Sequence, residues 1–377
     1  MKKKIVILTS AHLASDVRIY EKEARSLSKY YDVTLIAPIH ESFIPRDIAY
    51  VPLKNYKSRI NRTLNVIKCF YFARRAHPYI VHIHDAELLP VALLLRWLFG
   101  IHIVYDIHEN QHKGILNKEW LPVWMRKTIL FLFSQFESFA LRWMSGIILA
   151  EYSYNQVYNG RCANLQVVRN YPIFVGELTN GVDAHRENKE EIVIGYVGAI
   201  QQERGIFEMI ELIREFKTTT SRQVTLEIMG SFASDQLKEK VVELIKLYNI
   251  RDSIVFHGRL TYGEFLRVLS KADIGLVFLH PTSANMEIIP TKLYEYMMLK
   301  IPIIVMDIPI LKEFVAEVKC GIVVDAFDSK DTAKKIIDLI NDPAQRKTMG
   351  FNGYTSIKEN YNWEREEDKL LQLYNNI

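Results

Sequence analysis

Cysteine is scarce. The 377 residues contain three, Cys69, Cys162 and Cys320. An odd number, widely spaced and without a C-x-x-C pair, excludes a disulfide framework and points to a reducing compartment. With 16 Gly and 12 Pro the chain is too poor in both for a fibrous or linker-type protein. Long hydrophobic runs are missing too. The most apolar stretch, 121–150, is interrupted by Arg126, Lys127, Glu137 and Arg142, and its longest uncharged run, 128–136, is 9 residues. About 18 are needed to cross a bilayer. At the start, three lysines precede only four apolar residues, Ile5–Leu8, which reads as a first buried strand rather than a leader. There is no G-x-G-x-x-G, no G-x-x-x-x-G-K-[ST] and no Asp-x-Asp, which argues against a dehydrogenase, a P-loop enzyme and a metal held by an acidic motif.

What is present is an ordinary folded composition, 49% apolar and 24% charged, long enough for two domains. Charge is uneven. Residues 1–170 carry 23 Lys/Arg against 13 Asp/Glu, a surplus of ten, while residues 171–377 carry 25 against 31, a deficit of six. Between Asp47 and Asp85 lie no acids and seven bases, Lys54, Lys57, Arg59, Arg62, Lys68, Arg74 and Arg75, with Tyr56, Phe70, Tyr71 and Phe72 among them. Two readings stay open for this segment: a solvated helix face, or contact with anionic lipid headgroups. With no recognisable nucleic-acid module, nucleic acid is not an expected partner. The aromatic-rich stretch 121–144 has a similar pair of readings: packing under a neighbouring helix, or shallow insertion into a bilayer.

Short β-branched runs alternate with 10–15-residue helical patterns through both halves, which predicts βαβ units and an α/β protein with two parallel sheets. The polar stretch 176–191 separates a first domain, 1–175, from a second, 192–360. In such sheets ligands sit beyond the carboxyl ends of the strands. In the second half, Gly198 follows a strand and allows a tight turn, and Arg204 stands at the next helix entrance, where free amides already favour an anion. Another strand is followed by Glu287-Ile288-Ile289-Pro290-Thr291-Lys292, with Pro290 near a helix start. Lys292 and the amides around Ile288–Lys292 form a second anion site, and two such groups opposed across a crevice suit a diphosphate. Glu287 and Glu295 make sense beside phosphate if the ligand also carries sugar hydroxyls. His82 and His84 point to one strand face and admit a metal-pair reading; a buried, hydrogen-bonded His82, with His84 and His108 at the cleft, is preferred, and no metal is expected.

The stretch 287–297 resembles the P-x-K-[LF]-x-E-Y-M signature of retaining nucleotide-sugar glycosyltransferases of family 4. Asp16-Val17-Arg18-Ile19, His82-Ile83-His84-Asp85, the run from Tyr105 to Glu109, the run from Val255 to Arg259 and the late Trp363 also resemble family positions. The resemblance implies the GT-B fold, two Rossmann-like doubly wound domains facing across a cleft, with a last helix at about 361–377 returning to the first. It implies a donor site of Gly198, Arg204, Arg259, Ile288, Ile289, Thr291, Lys292 and Glu295, with Glu295 on the ribose. Glu287 and His108 become the catalytic groups, and Asp16, Arg18, His84 and Asp85 border the acceptor. It further implies a UDP- or GDP-linked sugar donor, no other cofactor, and a glycan or lipid-linked acceptor of cell-envelope polysaccharide synthesis. The expected location is cytoplasmic, or peripheral on the inner face of the membrane. Two departures weaken the family phosphate site: Ala199 replaces an arginine, and Arg204 replaces a lysine. A sugar-nucleotide epimerase of the same fold and a non-catalytic sugar-nucleotide binder are the rival readings.

Overall fold

The computed structural model describes residues 2–39, 44–55, 59–108, 111–116, 121–174, 191–282, 285–286 and 288–377. The chain divides into two compact units. Unit 1 comprises Met1–Asn170 with Trp363–Ile377, and unit 2 comprises Tyr171–Asn362. Of the proposed linker, 176–190 lies outside the described residues, and Glu191 already opens a strand. Tyr171 packs within unit 2, its ring 4.9 Å from Tyr294 and 5.4 Å from Tyr361.

Among the described residues, unit 1 is built on seven parallel strands: β1 (Lys4–Leu8), β2 (Asp32–Pro38), β3 (Ala49–Leu53), β4 (Ile80–Ile83), β5 (His102–Ile107), β6 (Gly146–Leu149) and β7 (Leu165–Val167). Their order is β3-β2-β1-β4-β5-β6-β7. Unit 2 has six: β8 (Glu191–Val197), β9 (Gln223–Met229), β10 (Ile254–Gly258), β11 (Ile274–Val277), β12 (Ile303–Met306) and β13 (Gly321–Val324), in the order β10-β9-β8-β11-β12-β13. Central strands such as β4, β6, β11 and β12 are buried along their whole length. A parallel sheet covered by helices on both faces demands this, and it explains the unbroken Val/Ile runs. In each sheet the winding reverses once, at β1/β4 and at β8/β11, and crevices at such points receive ligands.

Two strands escape the sequence pattern. Both β3 and β7 are edges. The first, Ala-Tyr-Val-Pro-Leu, is half exposed and carries Pro52, tolerated only at an edge; the second is three residues long. The sequence over 16–29 predicts a helix, and here the structure differs: Val17–Ala24 is a π-helix, followed by one α-turn at Arg25–Ser28. The wider i→i+5 turn brings residues five apart alongside each other, which places Arg18 Nε 3.1 Å from Glu23 Oε1. The last helix, Trp363–Asn375, packs on unit 1, with Trp363 Nε1 donating to Ser26 Oγ at 2.9 Å. Among the described residues no helix is long and apolar enough to cross a membrane.

Candidate active site

The unit 2 site grows from the loops after β8 and β11, on either side of the switch point. Gly198 leaves β8 with φ of 127°, a conformation that side-chain-bearing residues avoid. A Cβ there would lie 3.3 Å from Arg204 Nη1 and 3.4 Å from Lys292 Nζ, so two cationic ends crowd one backbone position. Arg204 closes a short 3-10 turn, and Gly205 then caps the helix Ile206–Thr219. After β11, Pro290 is the N-cap of the helix Thr291–Met298 rather than its first helical residue. Thr291 is exposed, Ile288 and Ile289 are half-buried, and Glu295 is half-buried one turn further on. The first amides of both helices have no intrahelical acceptors, and free amides at a helix start favour an anion.

Lys292 is 5% exposed, and its Nζ has no hydrogen-bond partner among the described residues. It rests over the ring of Tyr196, 3.8 Å from the centroid. Burial first, then the neighbouring Arg204 charge, hold this ammonium well below its ordinary pKa, with Glu295 partly offsetting them. A buried, unpaired cation beside a second cation is costly alone and favourable with a bound anion. Tyr196 belongs to the same cluster: burial pushes its phenol up to about 12, and its hydroxyl donates to the Ala199 carbonyl at 2.9 Å.

Beside the cations a cavity of about 360 Å³ opens, lined by Gly198, Gly230, Ser231, Arg259 and Phe265 among others. A Cβ at Gly230 would come within 1.9 Å of the Gly198 carbonyl oxygen, so the loops after β8 and β9 touch backbone to backbone. The structure therefore brings together Gly198, Arg204, Arg259 and Lys292 from the expected donor set. Glu287 lies outside the described residues. Sequence reasoning missed Tyr196, on β8 itself, Gly230 and Ser231, just after β9, and Phe265, on the helix Tyr262–Leu269; no local spacing marks them.

In unit 1 the polar residues at the strand ends form one buried network. Asp106, fully buried at the end of β5, accepts from Arg18 Nε at 2.7 Å, from Arg18 Nη2 at 2.8 Å and from His84 Nδ1 at 3.1 Å. Its Oδ2 is also 3.4 Å from His108 Nδ1, and His108 Nε2 lies 3.1 Å from His12 Nε2. Burial alone would raise the Asp106 pKa, but Arg18 and the two histidines hold it well below the ordinary carboxylate value. Asp85 fixes the β1 loop, accepting from Thr9 Oγ1 at 2.9 Å and Ser10 N at 2.7 Å. Asp16 caps the π-helix through the amides of Arg18 and Ile19. Of the expected acceptor-side residues, Arg18, His84 and Asp85 are each at most 5% exposed and are engaged within unit 1; His108 keeps a 14% exposed side chain.

Glu23, His82, His84 and Asp106 offer one ligand atom each within 4.8 Å of one another. Arg18 grips both Asp106 oxygens and also pairs with Glu23 Oε1 at 3.1 Å. Burial first and Asp106 second raise the Glu23 pKa well above normal, which favours the protonated carboxyl, with the Arg18 charge opposing them. His82 is engaged through Nδ1 with the Tyr374 hydroxyl at 2.7 Å, the buried arrangement expected for it.

Residues 180–356 match the family model described as glycosyl transferases group 1. The capsular polysaccharide biosynthesis glycosyltransferase CapM of Staphylococcus aureus is 27% identical over 201 residues, 51% of this chain and 48% of that protein. The chain spans about half the length of that curated relative. Among solved structures, sucrose-phosphate synthase from Thermosynechococcus elongatus superposes with a TM-score of 0.73 at 16% identity, over 100% of this chain and 98% of that one. HepE of Anabaena in complex with UDP-glucose gives 0.70 at 14% identity over 100% of both chains. Residues 180–356 thus match the glycosyl transferases group 1 family, within a chain that has the GT-B fold.

Proposed function

We propose that this protein is a retaining glycosyltransferase. It moves a sugar from a nucleoside-diphosphate sugar, UDP- or GDP-linked, to a hydroxyl of a glycan or lipid-linked acceptor in cell-envelope polysaccharide synthesis, at the inner face of the membrane. The observation that carries the donor reading is the unpartnered Lys292 ammonium beside Arg204 at the unit 2 switch point. Together with the two helix N-termini, these cations would meet the charge that develops on the departing diphosphate, without a divalent metal. The adjacent cavity suits the nucleoside, Glu295 the ribose hydroxyls, and Glu287 and His108 the sugar. The relatives support the reaction class: CapM is named for capsule synthesis, and the HepE structure for its UDP-glucose.

Titration calorimetry with UDP and GDP sugars tests the donor site. Arg204→Ala should weaken binding roughly 10-fold or more, the loss of a charge-assisted contact. Product analysis with and without a glycan acceptor separates transfer from epimerisation and from simple binding. Unchanged donor affinity in Arg204→Ala and Glu295→Ala would remove the assignment.

A further inference from the structure

Three neighbouring helices cover one face of the unit 1 sheet: Arg59–Ala76, Leu89–Phe99 and Val123–Leu141. Their inner sides already have a partner. Cys69 and Ala73, Leu89 and Leu95, and Ala140 and Leu141 all belong to the core under the sheet. Yet their outer sides remain apolar. Ile67 and Tyr71 are 61% and 56% exposed, and Trp97 and Leu98 are 48% and 62% exposed. Trp124 reaches 69%, with Phe131 and Leu132 close behind at 62% and 61%. Packing under a neighbouring helix, the first reading of this stretch, covers only part of it: among its described residues the third helix fully buries Glu137, Ala140 and Leu141.

Ring contacts link the three helices. Phe70 of the first helix lies 6.4 Å from Phe99 of the second, and Trp97 of the second lies 6.0 Å from Phe139 and 5.6 Å from Trp143. Contiguous exposed apolar surface of this extent marks an interaction site. Its charge has one sign. The three helices contain a single acid, Glu137, which is turned fully inward to Tyr158 and His112. Arg75, Lys127 and Arg142 stand exposed on or beside the patch.

We propose that this three-helix face is a membrane-docking surface that seats on an anionic lipid bilayer, with Trp97, Trp124 and Phe131 in the headgroup–acyl boundary and the bases on lipid phosphates. Large aromatics among cations, without exposed acid, are what an interfacial surface needs. A second copy of this chain fits poorly. A two-fold contact would lay the patch on itself and set like charges face to face. The inference rests on the membrane-side part of the proposed function alone. Vesicle binding is read without donor or acceptor, so its outcome and that of the donor assay are separate.

The test is co-sedimentation of the full chain with vesicles of phosphatidylglycerol and phosphatidylcholine, against phosphatidylcholine alone. Tryptophan emission should shift to the blue only with the anionic vesicles, and brominated acyl chains should quench it. Replacing Arg75, Lys127 and Arg142 by alanine should weaken partitioning about fivefold per charge, roughly a hundredfold together, and raised salt should mimic this. The triple change Trp124→Ser, Phe131→Ser, Leu132→Ser should abolish sedimentation while preserving circular dichroism and UDP-sugar binding. Absence of wild-type binding to anionic vesicles would overturn the proposal. So would equal binding by both variants, or a concentration-dependent dimer that the serine variant dissolves.

Discussion

Replacing Lys292 by methionine should push stability and donor binding in opposite directions. Met keeps the length and apolar stem of the side chain but removes the charge. In the unliganded protein that charge is buried, without a hydrogen bond, and close to Arg204. Contact with the Tyr196 face returns about 1–2 kcal/mol of its desolvation. A net gain on the order of 1–2 kcal/mol for Lys292→Met follows, since buried unpaired polar groups cost about 1–3 kcal/mol and charges more. For a unit of 150–250 residues each kcal/mol is worth roughly 2–4 °C in melting temperature. Donor binding should weaken by about 1.5–3 kcal/mol, roughly 10- to 150-fold. The pH dependence has a definite sign. An amine with a depressed folded pKa is a burden below that pKa, and the burden lifts as pH rises toward the unfolded value near 10.5. The stability advantage of the variant should therefore be largest near neutrality and shrink at alkaline pH. Differential scanning calorimetry with and without UDP, over that pH range, reads both effects. A variant that melts lower and binds UDP as tightly as the parent refutes the anion-site reasoning.

The unit 1 network gives two further expectations. Asp106→Asn removes the bidentate partner of a buried guanidinium, and urea unfolding should show a loss of roughly 3–5 kcal/mol; adding Arg18→Met should recover much of it, and a loss under about 1 kcal/mol in the single variant would count against the ion pair. Glu23→Gln tests the proton. A carboxyl with a raised folded pKa contributes stability that is present below its unfolded value of 4.5 and lost as pH rises through the folded value. At pH 8 the Gln variant should equal or exceed the parent in stability, with the advantage fading toward pH 4.5. His82, held well below 6.5 by burial, adds in both proteins a loss of stability as pH falls under 6.5. Severe destabilisation of Glu23→Gln at pH 8 would show that an ionised carboxylate is needed there.

Much of this molecule was legible because parallel strands buried on both faces leave unbroken apolar runs, as at Ile192–Ile194 or Ile303–Met306. Arg204 and Lys292 were legible for a related reason: each follows a strand and opens a helix, so topology alone sends it to the switch point. The edges β3 and β7 were not legible, since half-exposed short strands lack that signature. Nor was the π-helix, whose Arg18–Glu23 pairing falls outside both common periodicities. The polar residues of His82-Ile83-His84-Asp85 stood out at a strand end, but sequence could not distinguish a residue lining a crevice from one locked beneath it. Asp106 and Arg18 satisfy each other internally, and that is a property of tertiary packing.

The division of the chain sets an order of folding. Residues 171–362 are contiguous and can complete their unit as soon as they are made, whereas the older N-terminal portion must wait for residues 363–377. Until then His82 lacks its Tyr374 hydroxyl, Ser26 lacks the indole of Trp363, and the flank of Gly146, which Leu373 fills, stands open to water. A stop codon after Asn362 should therefore leave unit 1 with an open flank and two buried polar groups stripped of their partners.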